Sequence, residues 1–211
     1  MPTRVRRDLP EGKLANMDAA ELHRRAVGEF ASRLDAVGAT ASHSTWSAQT
    51  PCVGWDVRTL VNHVTYEDRW TAPLLKGASV AEIGDRFDGD LLGDDPVGAF
   101  ATASAEATET SAHVDSAKIV HLSSGDVPAA EYLRQLAADH LIHAWDLAAA
   151  TDGDRHFDDD VVSVVAEWFA DREAAYRSSG VIGPRDRAFS DDPQDRLLAA
   201  FGRDPSWRSR S

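Results

Sequence analysis

The sequence contains a single cysteine, Cys52, so no disulfide can form within its 211 residues. This composition is typical of proteins that work in a reducing compartment. No apolar run approaches the ~18–20 residues that a membrane span requires, and the first 16 residues lack the apolar core of a secretory signal. These absences predict a cytoplasmic protein without a membrane partner.

Positive charge is also scarce. The chain has 22 Lys and Arg residues against 35 Asp and Glu residues, and its formal net charge is -13. The basic residues concentrate only at the two ends, and no basic stripe runs through the sequence. Because so acidic a chain repels a phosphate backbone, nucleic-acid binding is disfavoured. The partner that we predict is a small-molecule substrate.

Apolar residues recur at helical spacing through most of the chain, as in the stripe of Leu22, Ala26, Phe30 and Leu34. No sustained strand alternation competes with this pattern, although residues 119–122 could form a short extended segment. The fold class predicted is an all-α bundle. We expect a disordered leader over 1–16 and one helical-bundle domain over 17–211. Helices are predicted over about 18–38, 56–76, 95–116, 128–150 and 159–178, with a short helix in the tail segment PQDRLLAAFGRDP.

One group of residues has the composition of a metal site. Asp139 and His143 are four positions apart on a predicted helix, so both side chains can reach one point beside it. His63, in the middle of an earlier helix, can supply a third ligand, and His140 or Glu67 could take the place of Asp139. Two imidazoles and a carboxylate suit zinc, nickel or iron, and three protein ligands leave a position open for substrate. The competing interpretation is ordinary hydrogen-bonded or surface histidines.

The residues that follow His63 are candidates for substrate binding. Tyr66 and Trp70 come about one and two turns later and could line a pocket. Arg69 could hold a substrate carboxylate. Aromatic packing and a solvated charge explain the same residues equally well.

Other polar residues near the predicted ligands have supporting roles. Asp146 and His140 flank His143 on its helix and are candidate hydrogen-bond partners of a ligand histidine, although Asp146 could instead join helices. For Cys52 we favour packing before the second long helix, because no basic residue stands near it in sequence. Arg203, in the tail, could pair with a helix carboxylate.

Three segments resemble one known family. The segments are TPCVGWDVRTLVNHV, GDVPAAEYLRQLAADHLIHAWDLAAATD and QDRLLAAFGRDPSW, and they occur in the family's order. They are similar to the actinobacterial proteins that resemble the N-terminal domain of mycothiol-dependent maleylpyruvate isomerase. The likeness extends from about Met17 to Trp207.

The resemblance implies a DinB/YfiT-like four-helix bundle with a short C-terminal tail helix. It also implies a divalent metal, zinc before nickel or iron, held by His63, Asp139 and His143. The characterised isomerases have Glu where this sequence has Asp139. The side chain of Asp139 is shorter than that of Glu by one methylene group. They also carry an additional C-terminal domain, for which the 211 residues leave room only for a tail, so isomerisation itself is not carried over.

The function that the resemblance implies is activation of a low-molecular-weight thiol such as mycothiol. A metal-bound thiolate would attack a small electrophile, giving S-transfer or isomerisation. The alternatives are a non-catalytic metal- or small-molecule-binding protein, and a biosynthetic enzyme that uses its metal as Lewis acid or water activator. Family members are often dimers, so a homodimer is one of the assemblies left open.

Overall fold

The computed structural model describes residues 17–38, 42–186 and 190–209, so the predicted leader lies outside the described residues. The described chain is mostly helical, which confirms the predicted all-α class. No helix in these ranges is both long enough and apolar enough to cross a membrane. The elements are α1 (Ala19–Gly38), α2 (His43–Trp46), α3 (Val57–Lys76), α4 (Val80–Ile83), α5 (Pro96–His113), β1 (Ile119–Leu122), β2 (Gly125–Pro128), α6 (Ala129–Ala150), α7 (Asp159–Ala170), α8 (Glu173–Ser178) and α9 (Pro193–Ala200).

Four long helices form the bundle. Helix α6 packs against α1 and α3, and α5 packs against the same two helices. From Ala137 to Ala150 every residue of α6 except Asp139 is buried. A helix that is buried all round lies inside the bundle, and its polar side chains need partners there. The polar residues of α6 are therefore the natural place to look for a site.

Helix α3, which carries His63, has well-defined ends. Asp56 Oδ1 accepts hydrogen bonds from the Thr59 backbone amide at 2.8 Å and from Thr59 Oγ1 at 2.7 Å. Gly77 ends the helix in the left-handed region at φ 109°, which glycine adopts without strain. The predicted bounds of about 56–76 agree with these caps.

The cap at Asp56 gives a first test of local stability. The Asp56→Ala variant is expected to lower the free energy of unfolding by ~1 kcal/mol, because two donors at the start of α3 lose their acceptor. Urea unfolding followed by circular dichroism measures the change. Asp85→Ala is the matched control, since Asp85 is exposed and should change stability little. Equal effects of the two substitutions would contradict a capping role.

The extended segment predicted over 119–122 is strand β1, and it is followed by a second strand, β2, that was not predicted. Strand β2 pairs with β1 antiparallel, with Val120 opposite Val127 and Leu122 opposite Gly125. Three of its four residues are Gly, Asp and Pro, which are depleted in strands, so β2 carries only a weak strand signal. Val120 is fully buried, and its packing holds the hairpin against the end of the bundle.

The single helix predicted over 159–178 is wrong in one respect, because it is broken between α7 and α8. At the break Arg172 donates to the Trp168 carbonyl oxygen at 2.6 Å. The same guanidinium pairs with both carboxylate oxygens of Glu131 on α6, at 2.8 and 2.9 Å. This long-range ion pair competes with a continuous helix and ties the segment to the bundle.

Candidate metal centre

The structure brings together the three residues singled out as metal ligands. His63 lies on α3, and Asp139 and His143 lie on α6. Asp139 Oδ2 is 3.5 Å from His63 Nε2, and its Oδ1 is 3.4 Å from His143 Nε2. One donor atom from each residue lies within 4.8 Å of the others. The two imidazole rings are 5.0 Å apart and nearly perpendicular, at 76°.

Asp146 fixes the orientation of His143. His143 Nδ1 lies 3.0 Å from Asp146 Oδ2, and because a carboxylate only accepts, Nδ1 carries the proton of this bond. Nε2, the nitrogen that faces Asp139, is then free to bind a metal when the ring is neutral. Arg203 holds Asp146 in turn, donating from Nε at 2.9 Å and from Nη2 at 2.8 Å. The pairing suggested for the tail arginine is thus observed.

Cys52 has partners that its sequence neighbourhood did not reveal. Its Sγ lies 3.1 Å from Asp146 Oδ2, 3.1 Å from Arg203 Nη2 and 3.9 Å from His143 Nδ1. The absence of a nearby basic residue in sequence was therefore misleading, because the tail returns Arg203 to it. The thiol therefore belongs to the same hydrogen-bonded group as Asp146 and Arg203, which positions His143.

Trp55 covers one side of the two histidines. Its ring centroid is 4.9 Å from that of His63 and 5.8 Å from that of His143, and it stacks on His143 at 23°. An indole in this place restricts both rings and shields them from water on one face.

The charges around Asp139 favour its ionised form. Burial acts to raise the pKa of Asp139, but His143 and His63 outweigh it and hold this pKa well below its ordinary value. Burial likewise acts to lower the pKa of His143, but Asp139, Asp146 and Cys52 raise it well above the ordinary value. Since a metal ion and a proton compete for the same nitrogen, an ion bound by His143 would displace a proton from it.

The donor set fits a divalent ion. Asp139 Oδ2 is buried and has no hydrogen-bond partner among the described residues, although it faces a histidine nitrogen. A cation between these atoms would satisfy the carboxylate and both histidines at once. Two imidazoles and one carboxylate are a common ligand set of catalytic zinc, with a fourth position left open.

Exposure is graded across the cluster. The side chains of His63 and Asp139 are 26% and 33% exposed, whereas that of His143 is 9% exposed. One side of the cluster therefore reaches the surface, and the other is sealed by Asp146 and the tail. An ion held here would be open to a small molecule from the side of His63.

Glu67 remains a neighbour of the cluster. Burial, assisted by the charge of Asp139, raises the pKa of Glu67 to about 7, although His63 and His140 act in the opposite direction. The carboxyl is thus close enough to Asp139 and His63 for their charges to act on it. It stays the alternative ligand that the sequence left open.

The three residues proposed to contact substrate lie further along α3. Trp70 is buried and packs against Tyr66, at 5.6 Å between ring centroids, and against Phe87, at 6.2 Å. Both Trp70 and Tyr66 are part of an apolar cluster between α3, the hairpin and α6. Arg69 is partly exposed. Their role in binding substrate stays a prediction.

His140 lies in a different environment from the other α6 histidine. Its Nδ1 lies 2.8 Å from the Leu136 carbonyl oxygen and its Nε2 3.2 Å from Asp68 Oδ1. Its ring also contacts that of His23 on α1, at 5.5 Å between centroids. His23 and Asp68 were missed in the sequence, although each stands on the buried stripe of its helix.

A groove of about 680 Å³ lies elsewhere, between α7, α8 and α9. Its lining includes Phe169, Glu173 and Arg196 and none of the three candidate ligands. It is therefore a separate feature from the cluster beside Trp55.

Comparison with known proteins identifies the family. The model of the mycothiol maleylpyruvate isomerase N-terminal domain matches residues 27–148, which include His63, Asp139 and His143. Uncharacterized proteins from two strains of Mycobacterium tuberculosis are 31% identical over 204 residues, covering 89% of this chain and 98% of theirs.

Solved structures show the same fold. The crystal structure of the mycothiol-dependent maleylpyruvate isomerase superposes with a TM-score of 0.52 at 20% identity, over 78% of this chain and 73% of that chain. A histidine-to-alanine variant of that isomerase gives a TM-score of 0.53 at 19% identity, with the same coverage. The DinB-like bundle implied by the sequence motifs is thus confirmed, and the chain belongs to the mycothiol maleylpyruvate isomerase N-terminal domain family.

Proposed function

We propose that the protein is a divalent-metal-dependent enzyme that activates a low-molecular-weight thiol, of the mycothiol type, for reaction with a small electrophile. The observation that carries the proposal is the group of His63, Asp139 and His143, whose donor atoms lie within 4.8 Å of one another on a partly exposed face. Membership of the family supports mycothiol as the thiol. A single cysteine fits a compartment in which such thiols stay reduced.

Each residue of the cluster has a distinct role in the proposal. His63 and His143 offer Nε2, and Asp139 offers the carboxylate that offsets the charge of the ion. Zinc is the expected metal, with nickel or iron also suited to these donors. An ion held there would lower the pKa of a thiol that reaches the open position and so favour its thiolate form.

The surrounding residues position the ligands and the substrate. Asp146 and Arg203 keep His143 in the tautomer that presents Nε2 to the site. Trp55 restricts both imidazole rings. Arg69, without an ion pair in the described part of the chain, is free to hold a substrate carboxylate, and Tyr66 would border the same face.

Elemental analysis tests whether the cluster binds metal. His63→Ala and His143→Ala should each contain about one equivalent of metal per chain less than the parent protein, because each loses a ligand. His43→Ala is the matched control, since His43 is exposed on α2 and should leave the metal content unchanged. A parent whose metal content does not depend on either residue, even after reconstitution with zinc and nickel, would refute the site.

Thiol chemistry is tested on the metal-containing parent. Mycothiol is offered with maleylpyruvate, which tests isomerisation, and with monobromobimane, which tests S-transfer. Thiol-dependent turnover should fall at least ~100-fold in His63→Ala, because the variant loses a metal ligand. Removing only a hydrogen-bond partner of a ligand usually causes a smaller loss of activity. Bound metal without any thiol-dependent turnover would favour the non-catalytic alternative, and turnover without thiol would favour Lewis-acid or water-activating chemistry.

A further inference from the structure

A second group of potential metal ligands lies inside the bundle. His23 on α1, Asp68 on α3 and His140 on α6 are 0%, 1% and 0% exposed. One donor atom from each lies within 4.8 Å of the others. The group is distinct from the first cluster, because its members come from three helices and none of them is exposed to solvent.

Five of the six side-chain polar atoms of this group have no hydrogen-bond partner among the described residues. Both ring nitrogens of His23, both carboxylate oxygens of Asp68 and Nε2 of His140 are buried without a hydrogen bond in the described part of the chain. Buried polar groups are otherwise almost always paired, and an unpaired one is costly. Five such atoms in one region indicate that something polar fills the space between them.

The orientation of His140 restricts which polar species can fill this space. Its Nδ1 lies 2.8 Å from the Leu136 carbonyl oxygen, and because a carbonyl only accepts, Nδ1 carries a proton. In a neutral ring Nε2 then presents a lone pair, and it does so 3.2 Å from Asp68 Oδ1. Two acceptors at this distance repel each other unless a cation lies beside them or Nε2 is protonated.

Protonation of His140 alone does not account for the cluster. An imidazolium would pair with one oxygen of Asp68, but both nitrogens of His23 and the second oxygen would stay unpaired. A metal ion would accept a lone pair from one atom of each of the three residues, so that His23, which protonation of His140 leaves without any partner, would also be bound. Zinc ligands at bond lengths of ~2.1 Å stand ~3.4 Å apart in a tetrahedron, close to the 3.2 Å between His140 and Asp68.

We propose that His23, Asp68 and His140 bind a second divalent transition-metal ion, of the zinc class, in a closed site that joins α1, α3 and α6. Two imidazoles and a carboxylate repeat the donor set of the first cluster, and the rings again stand nearly perpendicular, at 87°. Because the site has no exposed face, it serves structure rather than turnover.

Metal stoichiometry tests the second site separately from the first. The purified parent should contain two equivalents per chain, His23→Phe one and His143→Ala one, while the double variant should contain none. His113→Phe is the control, because His113 is exposed at the end of α5 and should keep two equivalents. A His23→Phe protein with the parent's stoichiometry would overturn the proposal, as would a parent whose whole metal content is lost in His143→Ala.

A spectroscopic measurement decides the question even where His23→Phe fails to fold. His143→Ala keeps the buried group intact and is unfolded, stripped with chelator and refolded with Co²⁺. We expect one equivalent to give the visible absorption of cobalt bound by histidine, and chelator to remove it at least ten times more slowly than it removes the exposed ion of the parent. No absorption, with a folded protein, would mean that water fills the space and would refute the site without bearing on the thiol chemistry.

Discussion

Replacing Asp146 by asparagine is expected to lower the free energy of unfolding by ~3–5 kcal/mol, the usual cost of breaking a buried ion pair from one side. Asp146 is 0% exposed and the Arg203 side chain 19% exposed. Burial acts to raise the pKa of Asp146, but His143 and Arg203 lower it below its ordinary value, so it is ionised. A neutral amide in place of this carboxylate would leave the guanidinium without its counter-charge. Urea unfolding measures the loss.

A surface pair provides the matched control for this substitution. Asp191 also pairs with an arginine, Arg196, but its side chain is 98% exposed. Asp191→Asn should therefore cost no more than ~1 kcal/mol. In the double variant Asp146→Leu, Arg203→Met, part of the stability should return, because no charge is left buried alone. If Asp146→Asn were no more costly than Asp191→Asn, the buried pair would not stabilise the tail.

The Asp146→Asn substitution is also expected to weaken metal binding, and this effect can be measured separately from global stability. Without the carboxylate, His143 loses the acceptor that fixes its proton on Nδ1. Affinity for a divalent ion is expected to fall ~10–100-fold, as for other outer partners of ligand histidines. Isothermal titration of the folded Asp146→Asn variant with zinc measures it.

The long helices were predictable because local signals agree with their packing. Helix α3 combines an apolar stripe with the Asp56 cap and the Gly77 end, and its bounds followed from these residues. The pairing of Asp139 with His143 followed from their spacing of four. His63 was a weaker inference from spacing, and the family motif around it strengthened it.

Contacts between distant segments could not be predicted by the same reasoning. Cys52 was interpreted without Arg203, because nothing in either segment shows that the tail folds back onto the start of α3. At the break after α7, Arg172 pairs with Glu131 of another helix. Periodicity describes one helix at a time and cannot show which charged residues on two elements will meet.

The buried group of His23, Asp68 and His140 shows a signal that could have been used. His23 stands three residues before Ala26 and seven before Phe30, and Asp68 stands seven after Val61, so both lie on buried stripes. A polar residue on such a stripe requires a partner. Which helices supply that partner depends on the packing of the bundle.

Parent protein stripped of metal by a chelator is expected to have a lower free energy of unfolding than the metal-bound protein. The difference should be ~4 kcal/mol when the metal-bound sample contains free ion at ~1,000 times the dissociation constant of the site. The ligands of the first cluster come from α3 and α6, so the unfolded chain does not hold them in place for the ion. An ion that binds only the folded state raises the free energy of unfolding with its concentration. Urea unfolding with zinc and with chelator measures the difference.

Ligand variants assign this stabilisation to the first cluster. His63→Ala should lose the part of the zinc-dependent shift that the first cluster supplies, whereas His43→Ala should keep all of it, because His43 is exposed and outside the cluster. The chelator reaches this cluster first, since the side chains of His63 and Asp139 are 26% and 33% exposed while His23 and His140 are fully enclosed. A shift that is the same in His63→Ala and in the parent would place the stabilising ion elsewhere in the bundle. A shift confined to proteins with His63 intact would show that the two long helices are joined by the ion at this face, where a thiol could also reach it.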